Sequence, residues 1–100
     1  MVRITKEVAE KRMGDVSLES AFWCHNGSVL TNLQSLKEAF VCMADEDYSY
    51  HSNTERNDFS NWVKDVLRDD KLARDIAESS DRNRAAKCVA ERMAFLARKL

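Results

Sequence analysis

Phe59, Trp62, Val63 and Val66 stand at i, i+3, i+4 and i+7. Four apolar side chains at that spacing share one side of an α-helix. Two aromatics and two valines on one face must leave water, so this helix is buried and the rest of the chain has to supply what buries it. Immediately before it runs the polar stretch His51-Ser52-Asn53-Thr54-Glu55-Arg56-Asn57-Asp58. A short side-chain oxygen at Asn57 or Asp58 would accept a hydrogen bond from an otherwise unpaired N–H of the first turn, so one of these two is expected to cap the helix. A polar loop turning into an apolar helix constrains architecture far more than activity.

The other elements can be read around this one. Residues 1–13 are charged throughout and offer only Ile4, Val8, Ala9 and Met13 to a core. They predict a weakly docked helix stopped by Gly14, and the alternation of Val2 and Ile4 leaves an edge strand open for the first few residues. Between Ala21 and Leu30, the Asn26-Gly27 pair flanked by aromatic and β-branched residues predicts a short β-hairpin with a type I′ turn. Two strands alone are marginal in water, so one face, either Phe22 with Cys24 or Trp23, must lie against a helix. Thr31 or Asn32 should cap that helix, on which Leu33, Leu36, Ala39, Phe40 and Met43 keep a 3,4 rhythm.

The acidic run Asp45-Glu46-Asp47 suits the start of a single helical turn before the polar loop. After the central helix, Arg68-Asp69-Asp70 interrupts the apolar stripe, which predicts a break with Asp69 capping a further helix. A continuous bent helix is the other reading. The last helix starts near Arg82, after a loop ending in Asp81. It places Ala85, Val89, Met93, Leu96 and Leu100 on one side, widened by Ala86, Ala90 and Ala97. Arg84, Lys87, Glu91, Arg92, Arg98 and Lys99 are read on the opposite, solvated side, with Cys88 and Phe95 among them. The expectation is a mainly α (α+β) fold: a compact bundle of four to five helices with one short hairpin near residues 21–30. One hundred residues are enough for one core and one domain.

One resemblance adds to this. His51, Asn53, Asn57, Asp58, Phe59, Trp62, Val63, Asp65 and Val66, with the upstream spacing of Phe22, Gly27, Leu33 and Leu36, are similar to the pattern of a family of small prokaryotic domains of unknown function. The shared pattern is His-x-Asn-x-x-x-Asn-Asp-Phe-x-x-Trp-Val, within a resemblance spanning roughly residues 21–92. It implies a compact one-domain fold and brings no substrate, cofactor or catalytic residue with it.

Function classes are weighed from charge and residue type. The formal charge of −1 conceals an asymmetry: residues 81–100 carry six basic and two acidic side chains, 6 − 2 = +4, leaving −5 on the remainder. Such a chain can dock its own halves, pair with a copy, or offer a basic face to an acidic partner. Arg84, Lys87, Arg92, Phe95, Arg98 and Lys99 are therefore the candidate binding surface, because arginines around an aromatic are where binding hot spots form. The leading expectation is a non-catalytic module that docks this helix, or the polar loop from His51 to Asp58, against a protein partner or a second copy of itself, with Asp45, Glu46 and Asp47 as the complementary surface for a copy. The alternative is an accessory nucleic-acid-binding domain using the same helix, against which the sequence pI of about 6.1 counts. The plain reading of Phe95 is that it folds back onto the N-terminal helix.

The polar loop residues His51, Asn53, Asn57 and Asp58 are the second candidate set. A histidine oriented by a carboxylate is the minimum for acid–base chemistry. No nucleophile or phosphate-cradling glycine loop accompanies them, so the loop is read as structural and the chain as no enzyme. Cys24, Cys42 and Cys88, an odd number without Cys-x-x-Cys spacing, suit free thiols, and neither a metal site nor a cofactor is expected. No apolar run approaches the ~18 residues of a membrane span and no signal-like segment is readable, so the expectation is a cytoplasmic protein without a membrane partner.

Overall fold

A computed structural model describes residues 3–100. Among these, six helices and one two-stranded hairpin follow one another as α1 (Lys6–Met13), β1 (Phe22–Trp23), β2 (Val29–Leu30), α2 (Leu33–Cys42), α3 (Asp45–His51), α4 (Asp58–Asp65), α5 (Asp70–Ala77) and α6 (Arg82–Ala97). The fold is mainly α with a small β part. The helix count exceeds the expected four to five because the acidic segment forms a seven-residue helix rather than a single turn, and because α4 and α5 are separate. Arg68 separates them: its φ of 61° lies in the left-handed region, which ends α4 sharply. Val2 lies outside the described residues, and Ile4 is half-buried outside any strand.

Helix starts follow the short polar side chains. Thr5, Asn32, Asn57, Asp69 and Asp81 each accept a hydrogen bond from a first-turn N–H of α1, α2, α4, α5 and α6. At α2 the cap is reciprocal, with Ser35 Oγ accepting from the Asn32 N–H. Only α3 lacks such a side chain among these helices, and its first turn instead holds Asp45, Glu46 and Asp47 near the positive end of the helix dipole.

The hairpin pairs Phe22 with Leu30 and Trp23 with Val29. Its turn is not type I′, which needs two positive φ values. Gly27 has φ +93°, whereas Asn26 does not adopt a positive φ, and the Gly27 N–H donates to Cys24 O at 2.9 Å. This matches a three-residue loop closed by a left-handed glycine. The buried face is the one carrying Phe22, Cys24 and Leu30, while Trp23 is 64% exposed. Leu30 approaches α2, but Phe22 reaches α4, lying 5.0 Å from Phe59 and 6.1 Å from Trp62 between ring centroids.

The core is continuous through all these elements, with Leu33, Leu36, Phe40, Phe59, Val63, Leu72, Ile76, Val89 and Leu96 fully buried. Val66 and Met93, expected inside, are only half-buried at its edge. Helix α6 packs on α2, α5 and α1, and α4 packs on α5. The start of α6 is fastened to the end of α2, since Arg82 Nη1 donates to Phe40 O and Val41 O, both at 3.0 Å, while Arg82 Nε pairs with Asp45 at 2.8 Å. Trp62 Nε1 donates to Ser20 O at 2.8 Å, which ties α4 to the turn leading into the hairpin. Among the described residues no helix is long and apolar enough to cross a membrane.

Candidate functional site

The basic face of α6 is less uniform than its sequence suggests. Arg84, Lys87, Arg98 and Lys99 are exposed. Arg92 is not: it is 8% exposed and grips Asp69 with two parallel hydrogen bonds, Nε to Oδ2 at 2.8 Å and Nη2 to Oδ1 at 3.0 Å. Asp69 is itself 0% exposed and also caps α5, its Oδ1 accepting from the Leu72 N–H at 3.2 Å. Arg92 therefore belongs to the interior and leaves the candidate binding set. The reason is positional: it stands three residues after Val89 and four before Leu96, on the apolar side of the helix. Ala90 and Ala97 depart in the other direction, lying exposed rather than widening the buried stripe.

Phe95 is half-buried against the core, and the charged ends of Arg92, Lys99 and Arg98 lie 5.0, 5.3 and 5.9 Å from its ring centroid. With Ile4 and Arg12 it lines a groove of about 880 Å³ bounded by α1, α5 and α6. Its position is thus close to the N-terminal segment.

The polar loop is a hydrogen-bonded scaffold. Asn57 caps α4 through the Ser60 N–H at 3.0 Å, and Ser60 Oγ donates to Ala73 O at 2.6 Å, joining α4 to α5. Asn53 Oδ1 accepts from the N–H groups of Glu55 and Arg56, and the Asn53 N–H donates to Arg56 O, which closes the loop on itself. His51 is buried between the edges of Phe22 and Phe59. Its Nε2 accepts from the His25 backbone N–H at 2.9 Å, so Nε2 carries no proton and Nδ1 must be the N–H that donates to Asp58 Oδ2 at 3.0 Å. Arg56 approaches the same carboxylate, with Nε 3.2 Å from Oδ1. The imidazole lone pair that a general base would use is engaged by the hairpin backbone. His51 and Asp58 thus fasten the hairpin turn to the start of α4, while on the outer surface the His25 and Tyr50 rings stack at 4.1 Å.

The cysteines are all free: Cys24 buried, Cys42 exposed and Cys88 half-buried. Burial, and secondarily the Asp47 carboxylate, push the Cys24 thiol up from 9.0 to about 11. Among the described residues no three of His, Cys, Asp and Glu converge to hold a metal ion. One buried polar atom among them lacks a partner, the Tyr48 hydroxyl, whose ring stacks parallel to Phe59 at 5.9 Å.

The arrangement thus offers two outward features, the free side of α6 and the groove on its other flank. Sequence reasoning named most of the α6 residues but not Arg12 or the role of Asp69, because nothing local signals a contact between residues 23 positions apart. Among known proteins, no family model matches the chain, and neither a curated protein nor a solved structure matches it.

Proposed function

We propose that the protein is a non-catalytic interaction module that pairs with a second copy of itself through the free side of α6. The observation that carries this reading is the distribution of charge and bulk along that side. Lys87, Ala90, Ala94 and Ala97 are exposed there, and alanines allow another helix to approach closely. Arg98 and Lys99 stand at its C-terminal end, while Asp45 of the acidic α3 is held beside its N-terminal end by Arg82.

The sixteen residues of α6 separate these opposite charges by about 24 Å. A copy lying antiparallel brings the basic end of each helix to the acidic end of the other. That contact is two-fold, closes on itself and makes every favourable pairing twice.

The nucleic-acid reading has less support. It loses Arg92, which is held by Asp69, and Phe95 is half-buried with the Arg92 guanidinium 5.0 Å from its ring centroid. Light scattering at low and high salt tests the proposal. A mass of two 11.5 kDa chains at low salt, reduced to one by Arg98→Glu with Lys99→Glu, is expected. A single chain at every protein concentration and salt overturns it, and a retarded band with single-stranded DNA or RNA at moderate salt would instead favour the alternative.

A further inference from the structure

We propose that the groove between α1, α5 and α6 is a binding site for a small amphipathic carboxylate, with Arg12 as its anchor. This goes beyond self-association and concerns the other flank of α6. The groove, about 880 Å³, lies within the range of small-molecule sites, and Ile4, Cys88 and Phe95 give it an apolar floor.

The anchor follows from an unequal count of charges beneath that floor. Two guanidiniums, Arg92 and Arg12, converge on one carboxylate, Asp69. Arg92 takes both of its oxygens at hydrogen-bond distance, and the Leu72 N–H takes Oδ1 as well. Arg12 is left 3.8 Å away, beyond hydrogen-bond reach, and among the described residues it donates no hydrogen bond, although its side chain is only 15% exposed. Its side chain is mostly covered while its forked donors stay within reach of the solvent in the groove, where a carboxylate can accept two of them side by side.

The rim narrows the class. Asp70, Asp75 and Glu91 line the groove together with Lys71 and Arg74, three negative charges against two positive, with Lys71 pairing Asp75 at 2.7 Å. A doubly charged phosphate meets a rim that keeps one net negative charge, whereas a single negative charge is matched by the Arg12 guanidinium beneath it. The apolar floor then calls for a hydrocarbon or aryl tail on that carboxylate.

The test is an NMR titration of the whole chain with octanoate and, separately, with 1-octanol, which has the same tail and no charge. Octanoate should produce saturable shifts centred on Ile4, Arg12, Cys88 and Phe95, and should bind at least about tenfold more tightly than octanol. Arg12→Gln, in which Arg92 still holds Asp69, should abolish that preference. Equal binding of the two compounds, no saturable shift, or an unchanged preference in Arg12→Gln each overturns the proposal. The comparison between octanoate and octanol on the unmodified protein decides the matter even if the variant does not fold.

Discussion

Removing Arg92 should destabilise this protein as a core substitution does, although a helical wheel that reads the residue by charge alone would set it in solvent. Arg92→Met keeps the length of the side chain and most of its packing while leaving the fully buried Asp69 carboxylate without its two-point partner. Breaking a buried pair from one side costs roughly 3 to 5 kcal/mol, much of it the unpaired charge that remains. Arg12 stands 3.8 Å from the same carboxylate and can recover part of the loss, which places the expectation near the lower end, about 3 kcal/mol. For a domain of this size that is a fall in melting temperature of about 12 to 24 °C.

Asp69→Asn should cost a similar amount, since it retains the oxygen that caps α5 and discards the charge. Asp69→Ala should cost about 1 kcal/mol more for the lost cap. Thermal and urea unfolding followed by circular dichroism measures all of these. The double variant Asp69→Asn with Arg92→Met is the decisive member, because it removes both charges together. Its cost should fall short of the sum of the singles by about 2 kcal/mol or more. If Arg92→Met lies within about 0.5 kcal/mol of the parent, or the two costs simply add, then Arg92 is not the interior clamp described here.

Three further sites make distinct predictions, and a fourth concerns reactivity. His51→Ala leaves the His25 N–H and the Asp58 carboxylate without their shared partner. It should cost about 1 to 3 kcal/mol and speed hydrogen exchange at the His25 amide, whereas unchanged exchange there would refute the link. Tyr48→Phe removes a buried hydroxyl that has no partner among the described residues, so it should be neutral or stabilising by up to about 1 kcal/mol, and clear destabilisation would reveal a partner. Trp62→Ala should cost about 3 to 5 kcal/mol, and near-parental melting would remove Trp62 from the core.

Among the thiols, exposed Cys42 should be alkylated first and Cys24 last, read by mass spectrometry of digests. With its thiol raised from 9.0 to about 11, Cys24 holds on the order of one-hundredth of the thiolate it otherwise would at mildly alkaline pH. The sign for stability follows from that raised value in the folded chain. The contribution is fully present below pH 9 and is lost as pH rises towards about 11, and Cys24→Ala should flatten that loss.

The sequence by itself determined the elements. The 3,4 spacing of Phe59, Trp62, Val63 and Val66, the short polar residues ahead of each helix, and the Asn26-Gly27 pair depend on backbone geometry over a few residues. Those are forces a chain exerts on itself before it folds. It was on the same local grounds that Asp69 could be placed at a helix start and Gly14 at a helix end. Tertiary structure alone decided which partner each polar group took. Asp69 became the seat of a buried ion pair, His51 a brace between hairpin and helix, and Phe95 part of a groove wall, because each meets a group from a distant segment. The turn type was settled in the same way, since the register of Phe22 and Leu30 against the core required a three-residue loop. Spacing along a chain can say that a side chain faces inward, but the charge or ring waiting for it there is fixed only when the helices pack.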